Sequence, residues 1–213
     1  MIFALFILTV AISLDLVFGK YMIIQLGIID TTPAGWALPK LNECFVIVSV
    51  IVVFTLLSGD NLGSIYIQKG NLKLGLIIGL AAFFIFSVGA IPMASLFNLQ
   101  NPSLAGILPL IPWILIFVLA NSAMEEILFR GLFLRKLEPI IGIHLSVFLL
   151  AFIFTGIHNW VSYTADNRIF LAFTFPLALA LGYIMKKTDS VWGSILLHAG
   201  MDIPIMLGIF SNL

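Results

Sequence analysis

The chain has 213 residues, 62% of them hydrophobic and 9% charged, with ten Lys and Arg against ten Asp and Glu. Soluble domains carry about 25% charged residues, so a soluble globular protein and a disordered tail are both excluded. Zero net charge gives no field to recruit nucleic acid, and the single Cys44 forms no internal disulfide. What remains is a polytopic membrane protein. It is all-α, because backbone groups in lipid must be satisfied within each segment.

Seven apolar runs are long enough to cross about 30 Å of hydrocarbon. They lie near residues 2–18, 41–57, 74–97, 107–136, 140–160, 168–185 and 190–212. The first lacks a basic leader and a small-residue cleavage site, so it reads as a retained span. Thr32-Pro33-Ala34-Gly35 and Leu38-Pro39 break the chain before the second span. Ser58-Gly59-Asp60-Asn61 and Lys69-Gly70-Asn71 mark a polar loop, and Asn98 to Ser103 and Ala165-Asp166-Asn167 read as shorter turns. No internal repeat stands out. The chain reads as one bundle, with N-terminal spans over 1–60 and a core over 61–213 that holds the polar chemistry.

With seven spans, Lys69, Lys73, Arg135, Lys136, Lys186 and Lys187 share one side, and Lys20, Lys40 and Arg168 the other. Excess Lys and Arg marks the cytoplasmic side. The expectation is an N-terminus inside and a C-terminus outside, in a multi-pass membrane protein.

The informative residues interrupt apolar helices. Glu125 and Glu126 sit in the fourth span, with Arg130 four residues on; His158 ends the fifth; His198 and Asp202 lie in the seventh. Glu125 precedes the basic end at Arg135 by about ten residues, so at about 1.5 Å per residue it lies about 15 Å deep. Four unpaired charges at that depth would cost about 10–14 kcal/mol. Spacing shows how the cost is met. Glu126 and Arg130 are i and i+4, share a face and can pair. Glu125, rotated by about 100° from Glu126, is left for other work. His198 and Asp202 are also i and i+4, so the carboxylate could fix the imidazole tautomer or share a ligand with it. Each residue taken alone has a structural reading. Together, on three spans, they need a common polar cavity. Asp15 near a span end and His144 near a loop read as interfacial, and Cys44 as core.

A carboxylate and two imidazoles activate water in two ways. The histidines can hold zinc or another divalent metal, which lowers the pKa of bound water to about 7. Alternatively the carboxylate acts as general base, and imidazole with Asp or Asn stabilises the oxyanion. Both give peptide hydrolysis within the membrane. Other hydrolytic signatures are missing: no His-Glu-x-x-His, Gly-x-Ser-x-Gly or Gly-x-Gly-Asp occurs.

Glu125-Glu126-x-x-x-Arg130, Phe154-x-x-x-His158 and His198-x-x-x-Asp202, in that order on hydrophobic segments, resemble the three motifs of the CPBP family. These are the CAAX prenyl proteases type II with the bacteriocin-processing, self-immunity and abortive-infection proteins. The likeness runs from about residue 74 to 212, and none is evident before residue 60. It implies an eight-helix-like intramembrane endopeptidase with a cavity open to the cytosol. Glu125 would activate the water. His158, His198 and Asp202 would bind metal or stabilise the oxyanion, and Glu126 and Arg130 would support them. The third motif usually ends in Asn; Asp202 is a better metal ligand and a poorer oxyanion donor, which favours a metal. The implied partners are a membrane-associated peptide or protein substrate and the bilayer, with no nucleic acid. Two other readings stay open: a non-catalytic immunity or scaffold protein of the same fold, and a small ion-coupled transporter whose buried carboxylates carry protons or cations.

Overall fold

A computed structural model describes residues 1–27, 31–97, 103–161 and 167–213, and for residues 20–24 and 26 the backbone only. The expected turns at Asn98–Ser103 and Ala165–Asn167 fall largely outside these residues. Helices account for most of the described chain, and no strand occurs among the described residues.

Helices α1 (Ile2–Leu26) and α2 (Pro33–Leu57) form an antiparallel pair. Both are longer than the sequence suggested. Pro33 opens α2 rather than breaking it: it fills the first helical position, where its missing N–H costs nothing, and the Thr32 hydroxyl caps the turn by accepting from the Gly35 N–H at 3.0 Å. Pro39 is carried inside the helix. The correction matters for Lys40, which lies within α2 and not in a loop.

The third span is broken. Helix α3 (Leu72–Val88) and the short α4 (Ala90–Ala94) meet at Gly89, and the axis bends there by 68°. After a four-residue turn, α5 (Leu104–Ile107), the chain runs into α6 (Ile111–Glu125), then a π-helix over Glu126–Leu134, then α7 (Arg135–Ile141). The whole run of 38 residues, Leu104–Ile141, exceeds the span expected from sequence. Gly142, at φ +77°, makes the sharp turn into α8 (Ile143–Ile157). Helices α9 (Asn167–Thr188) and α10 (Trp192–Phe210) complete the bundle. Six helices are long and apolar enough to span a membrane, or seven if the bent α3–α4 pair counts as one span.

Helix α10 is the centre of the bundle. Its window is 72% buried, against 17–33% for the other straight spans. It packs most closely on α3, and small residues allow the approach: a Cβ on Gly193 would meet the Gly75 carbonyl oxygen at 2.8 Å, and one on Gly79 would meet that of Gly193 at 2.9 Å. Lipid offers little hydrophobic drive between helices, so close backbone contact is what holds such a pair.

One end of the bundle is tied by polar contacts. Arg135 pairs with Asp189, Lys186 with Glu138 at 2.6 Å and Lys136 with Asp60 at 3.8 Å. The Gln68 amide donates to Asp189 at 2.6 Å, and the Val191 N–H to the Tyr66 carbonyl at 3.0 Å. The Arg135 guanidinium stacks 4.1 Å over the Tyr66 ring. Burial pushes the Tyr66 hydroxyl up to about 12, against the opposing pull of Arg135. All six basic residues that the sequence grouped together are therefore at one end. His144, exposed at the start of α8, bonds the Tyr183 hydroxyl at 3.0 Å.

Candidate active site

The charged residues of α6 separate as their rotation requires. Glu126 and Arg130 are fully enclosed, with side chains 0% and 1% exposed and paired at 2.8 Å. Arg130 also donates to the Ala178 carbonyl at 3.3 Å and lies 4.4 Å over the Phe154 ring. A buried ion pair needs such extra contacts, because its Coulomb gain alone scarcely offsets desolvation. Glu125, one residue earlier, turns instead into a cavity of about 290 Å³.

That cavity gathers the motif residues. Glu125, His158, His198 and Asp202 all line it, from α6, the end of α8 and α10, together with Asn121, Thr174 and Lys40. The remaining wall is mainly apolar, including Phe97, Phe117, Phe154, Phe170 and Phe173. His158 reaches it because α8 stops at Ile157, short of the drawn end at 160, so His158 lies on the first turn beyond the helix.

Both imidazoles are held from behind. His198 Nδ1 lies 2.9 Å from Glu126 Oε1, and His158 Nδ1 lies 2.7 Å from the Phe154 carbonyl oxygen. Each acceptor fixes the proton on Nδ1 and leaves Nε2 to the cavity. His198 Nε2 lies 3.6 Å from Glu125 Oε2 and 3.8 Å from Asp202 Oδ1, both too long for hydrogen bonds. The expected His198–Asp202 contact is thus corrected: spacing brings the two together, but His198 bonds Glu126 on another helix. Asp202 is held by Asn121, whose amide donates to Oδ2 at 3.0 Å.

Glu125 Oε2 and Glu126 Oε2 are both buried with no hydrogen-bond partner among the described residues, but Glu126 is sealed beside Arg130 and only Glu125 lines the cavity. Buried polar atoms are rarely left so. Glu125 Oε2 faces a cavity flanked by two imidazoles, as a group awaiting a water or a substrate does.

The donor set, two Nε2 atoms and two carboxylates with anchored histidines, has the chemistry of a zinc site. Its arrangement does not match: among the described residues, no group of three His, Cys, Asp or Glu side chains is placed to hold a metal ion.

Sequence reasoning missed two residues and one contact. Asn121 lies one turn before Glu125 on the same stripe of α6, a signal the sequence did carry. Lys40 was hidden by the misplaced start of α2. The Glu126–His198 bond joins residues 72 positions apart and has no local signature.

The cavity extends from Glu125 toward Phe97, Val161 and Ile169. These lie at the end of the bundle opposite the six basic residues. The charge rule places the basic end in the cytoplasm, whereas the resemblance implied a cavity open to the cytosol. A cavity opening at that end would face away from the cytoplasm by the charge rule, against what the resemblance implied.

Residues 107–204 match the family described as Type II CAAX prenyl endopeptidase Rce1-like. The match covers a little under half of the chain and contains Glu125, Glu126, Arg130, His158, His198 and Asp202. Over those residues the chain, an all-α bundle with six or seven helices able to span a membrane, is similar to the Rce1-like family, whose description is that of a CAAX-type endopeptidase. No curated protein and no solved structure gives a match.

Proposed function

We propose that the chain is an intramembrane endopeptidase that hydrolyses a peptide bond in a membrane-associated peptide or protein. The observation that carries this is the unpartnered Glu125 Oε2, buried in the shared cavity 3.6 Å from His198 Nε2. Glu125 takes a proton from a cavity water, whose oxygen attacks the peptide carbonyl carbon. The amide of Asn121, which has a second hydrogen beyond the one given to Asp202, stabilises the oxyanion, in a cavity that His158 and His198 also line. Glu125 then returns the proton to the leaving nitrogen, the C–N bond breaks, and an acid and an amine result. Glu126 and Arg130 act one layer back by fixing the His198 ring. The apolar wall excludes bulk water and suits a hydrophobic segment. Peptide maturation or self-immunity at a bacterial cytoplasmic membrane is the setting this reading favours.

The test is cleavage of a panel of membrane-associated peptides by purified protein, with and without chelator, beside Glu125→Gln. The expected result is cleavage by the native protein, abolished in Glu125→Gln at unchanged melting temperature. Equal cleavage by Glu125→Gln overturns the assignment. Protection of a host cell that survives Glu125→Gln would favour a scaffold, and dependence on an ion gradient a transporter.

A further inference from the structure

The basic end of the bundle, far from the cavity mouth, carries more positive charge than its own carboxylates neutralise. Each carboxylate there takes a different cation: Asp189 pairs with Arg135, Glu138 with Lys186 and Asp60 with Lys136. Lys69, Lys73 and Lys187 are left over. All three are exposed, and none has an ion-pair partner among the described residues.

The surplus lysines are gathered in one place. The segment before α3 lies along the turn between α9 and α10. The Asn71 N–H donates to the Thr188 carbonyl at 2.6 Å, the Gln68 amide to the Asp189 carbonyl at 2.9 Å, and the Ser190 hydroxyl to the Gln68 carbonyl at 2.8 Å. Lys69 and Lys73 each lie two residues from Asn71, and Lys187 is next to Thr188. All three side chains therefore spring from one patch around the Asn71–Thr188 contact. Like charges held together repel. Topology alone gives no reason to cluster them, because it asks only for an excess of Lys and Arg on that side.

The neighbours of the patch are those of a lipid surface. Trp192, 45% exposed, opens α10 one residue after the turn, and exposed Trp rings favour the headgroup level of a bilayer. Below Lys73 on α3, Ile77, Leu80 and Phe84 are exposed and follow it at i+4, i+7 and i+11. That spacing keeps them on the lysine's own face of the helix. A cation cluster thus stands at the head of an apolar stripe, which is the complement of a charged headgroup on an acyl chain.

We propose that Lys69, Lys73 and Lys187 form a binding site for one anionic phospholipid of the cytoplasmic leaflet. The lysines hold its phosphate, and an acyl chain lies along Ile77, Leu80 and Phe84. The site stands apart from the hydrolytic chemistry and does not depend on it. A lipid bound there bridges the start of α3 and the turn into α10, and so stabilises the folded bundle by linkage.

The test uses purified full-length protein in dodecyl maltoside, supplied with dioleoylphosphatidylglycerol or, at equal mole fraction, with zwitterionic dioleoylphosphatidylcholine. Native mass spectrometry reads the retained lipid, and thermal unfolding reads Tm. One lysine beside an anionic lipid surface contributes about fivefold in affinity. The native protein should therefore retain one phosphatidylglycerol about a hundredfold more tightly than phosphatidylcholine, and melt higher with it. In a variant combining Lys69→Gln, Lys73→Gln and Lys187→Gln the preference should fall to about one, with Tm in phosphatidylcholine unchanged. Arg at the same three positions should preserve the preference. Equal retention of both lipids by the native protein, or a preference unchanged in the triple Gln variant, overturns the proposal. A third arm adds inorganic phosphate without lipid. If phosphate raises Tm as much as phosphatidylglycerol does, the patch binds soluble anions and the lipid assignment is overturned.

Discussion

The buried Glu126–Arg130 pair gives the sharpest stability prediction. Glu126→Ala strands a guanidinium that is 1% exposed and removes the acceptor of His198 Nδ1. Losing one partner of a buried pair costs about 3–5 kcal/mol, and the lost His198 bond adds about 1 kcal/mol. Arg130→Ala is expected to cost less than Glu126→Ala, because the remaining carboxylate still accepts from His198 at 2.9 Å. For a chain of this size about 1 kcal/mol shifts Tm by about 2–4 °C, so Glu126→Ala should melt lower by about 8–24 °C. Replacing both charges, as Glu126→Gln with Arg130→Met, should recover much of the loss, since no unpaired ion remains. The assay is thermal unfolding of purified protein in one detergent, read beside peptide cleavage. If both alanine variants melt with the native protein and lose only turnover, the pair is part of the reacting machinery and the reasoning here is wrong.

Two further outcomes follow from the site and the bundle. Asn121→Ala should lower kcat by about 10–100-fold with KM little changed, because it frees Asp202 and removes an oxyanion donor; an equal loss in Asn121→Ala and in an Asn121→Ala, Asp202→Asn double variant would show the two acting as one unit, and strictly additive losses would refute the link. In a Cys44→Ser background, a cysteine placed at Lys187 should react with a membrane-impermeant maleimide only from the cytoplasmic side, and one at Arg168 only from the other; the reverse pattern would put the cavity mouth in the cytosol and overrule the charge count.

Much of the site was legible because it obeys local geometry. Glu126 and Arg130 meet since residues four apart share a helix face, and Glu125 faces elsewhere since neighbours do not. The cost of charge in lipid then forces such residues inward, so a shared cavity could be expected before its shape was known. What was not legible lies between segments. Nothing in the sequence near His198 shows that its partner is Glu126 and not Asp202, because that choice depends on how α10 crosses α6. The bend at Gly89 is equally hidden, since hydropathy continues unbroken through it. Pro39 misled for a different reason. Its missing N–H breaks a helix in water, yet inside a membrane bundle neighbouring groups re-satisfy the backbone and the helix continues. That continuation carries Lys40 into the cavity.

Adjacent carboxylates therefore divide their work by burial. Glu126 is sealed and neutralised by Arg130, and its second contact orients an imidazole. Each keeps one oxygen without a hydrogen-bond partner among the described residues, but Glu125 is 14% exposed to the cavity while Glu126 is closed off from it. The same residue type one position apart is stable in the first setting and reactive in the second. The difference is made by the 100° step of the helix and by what stands opposite: a guanidinium over an aromatic ring for one, and open space between two anchored histidines for the other.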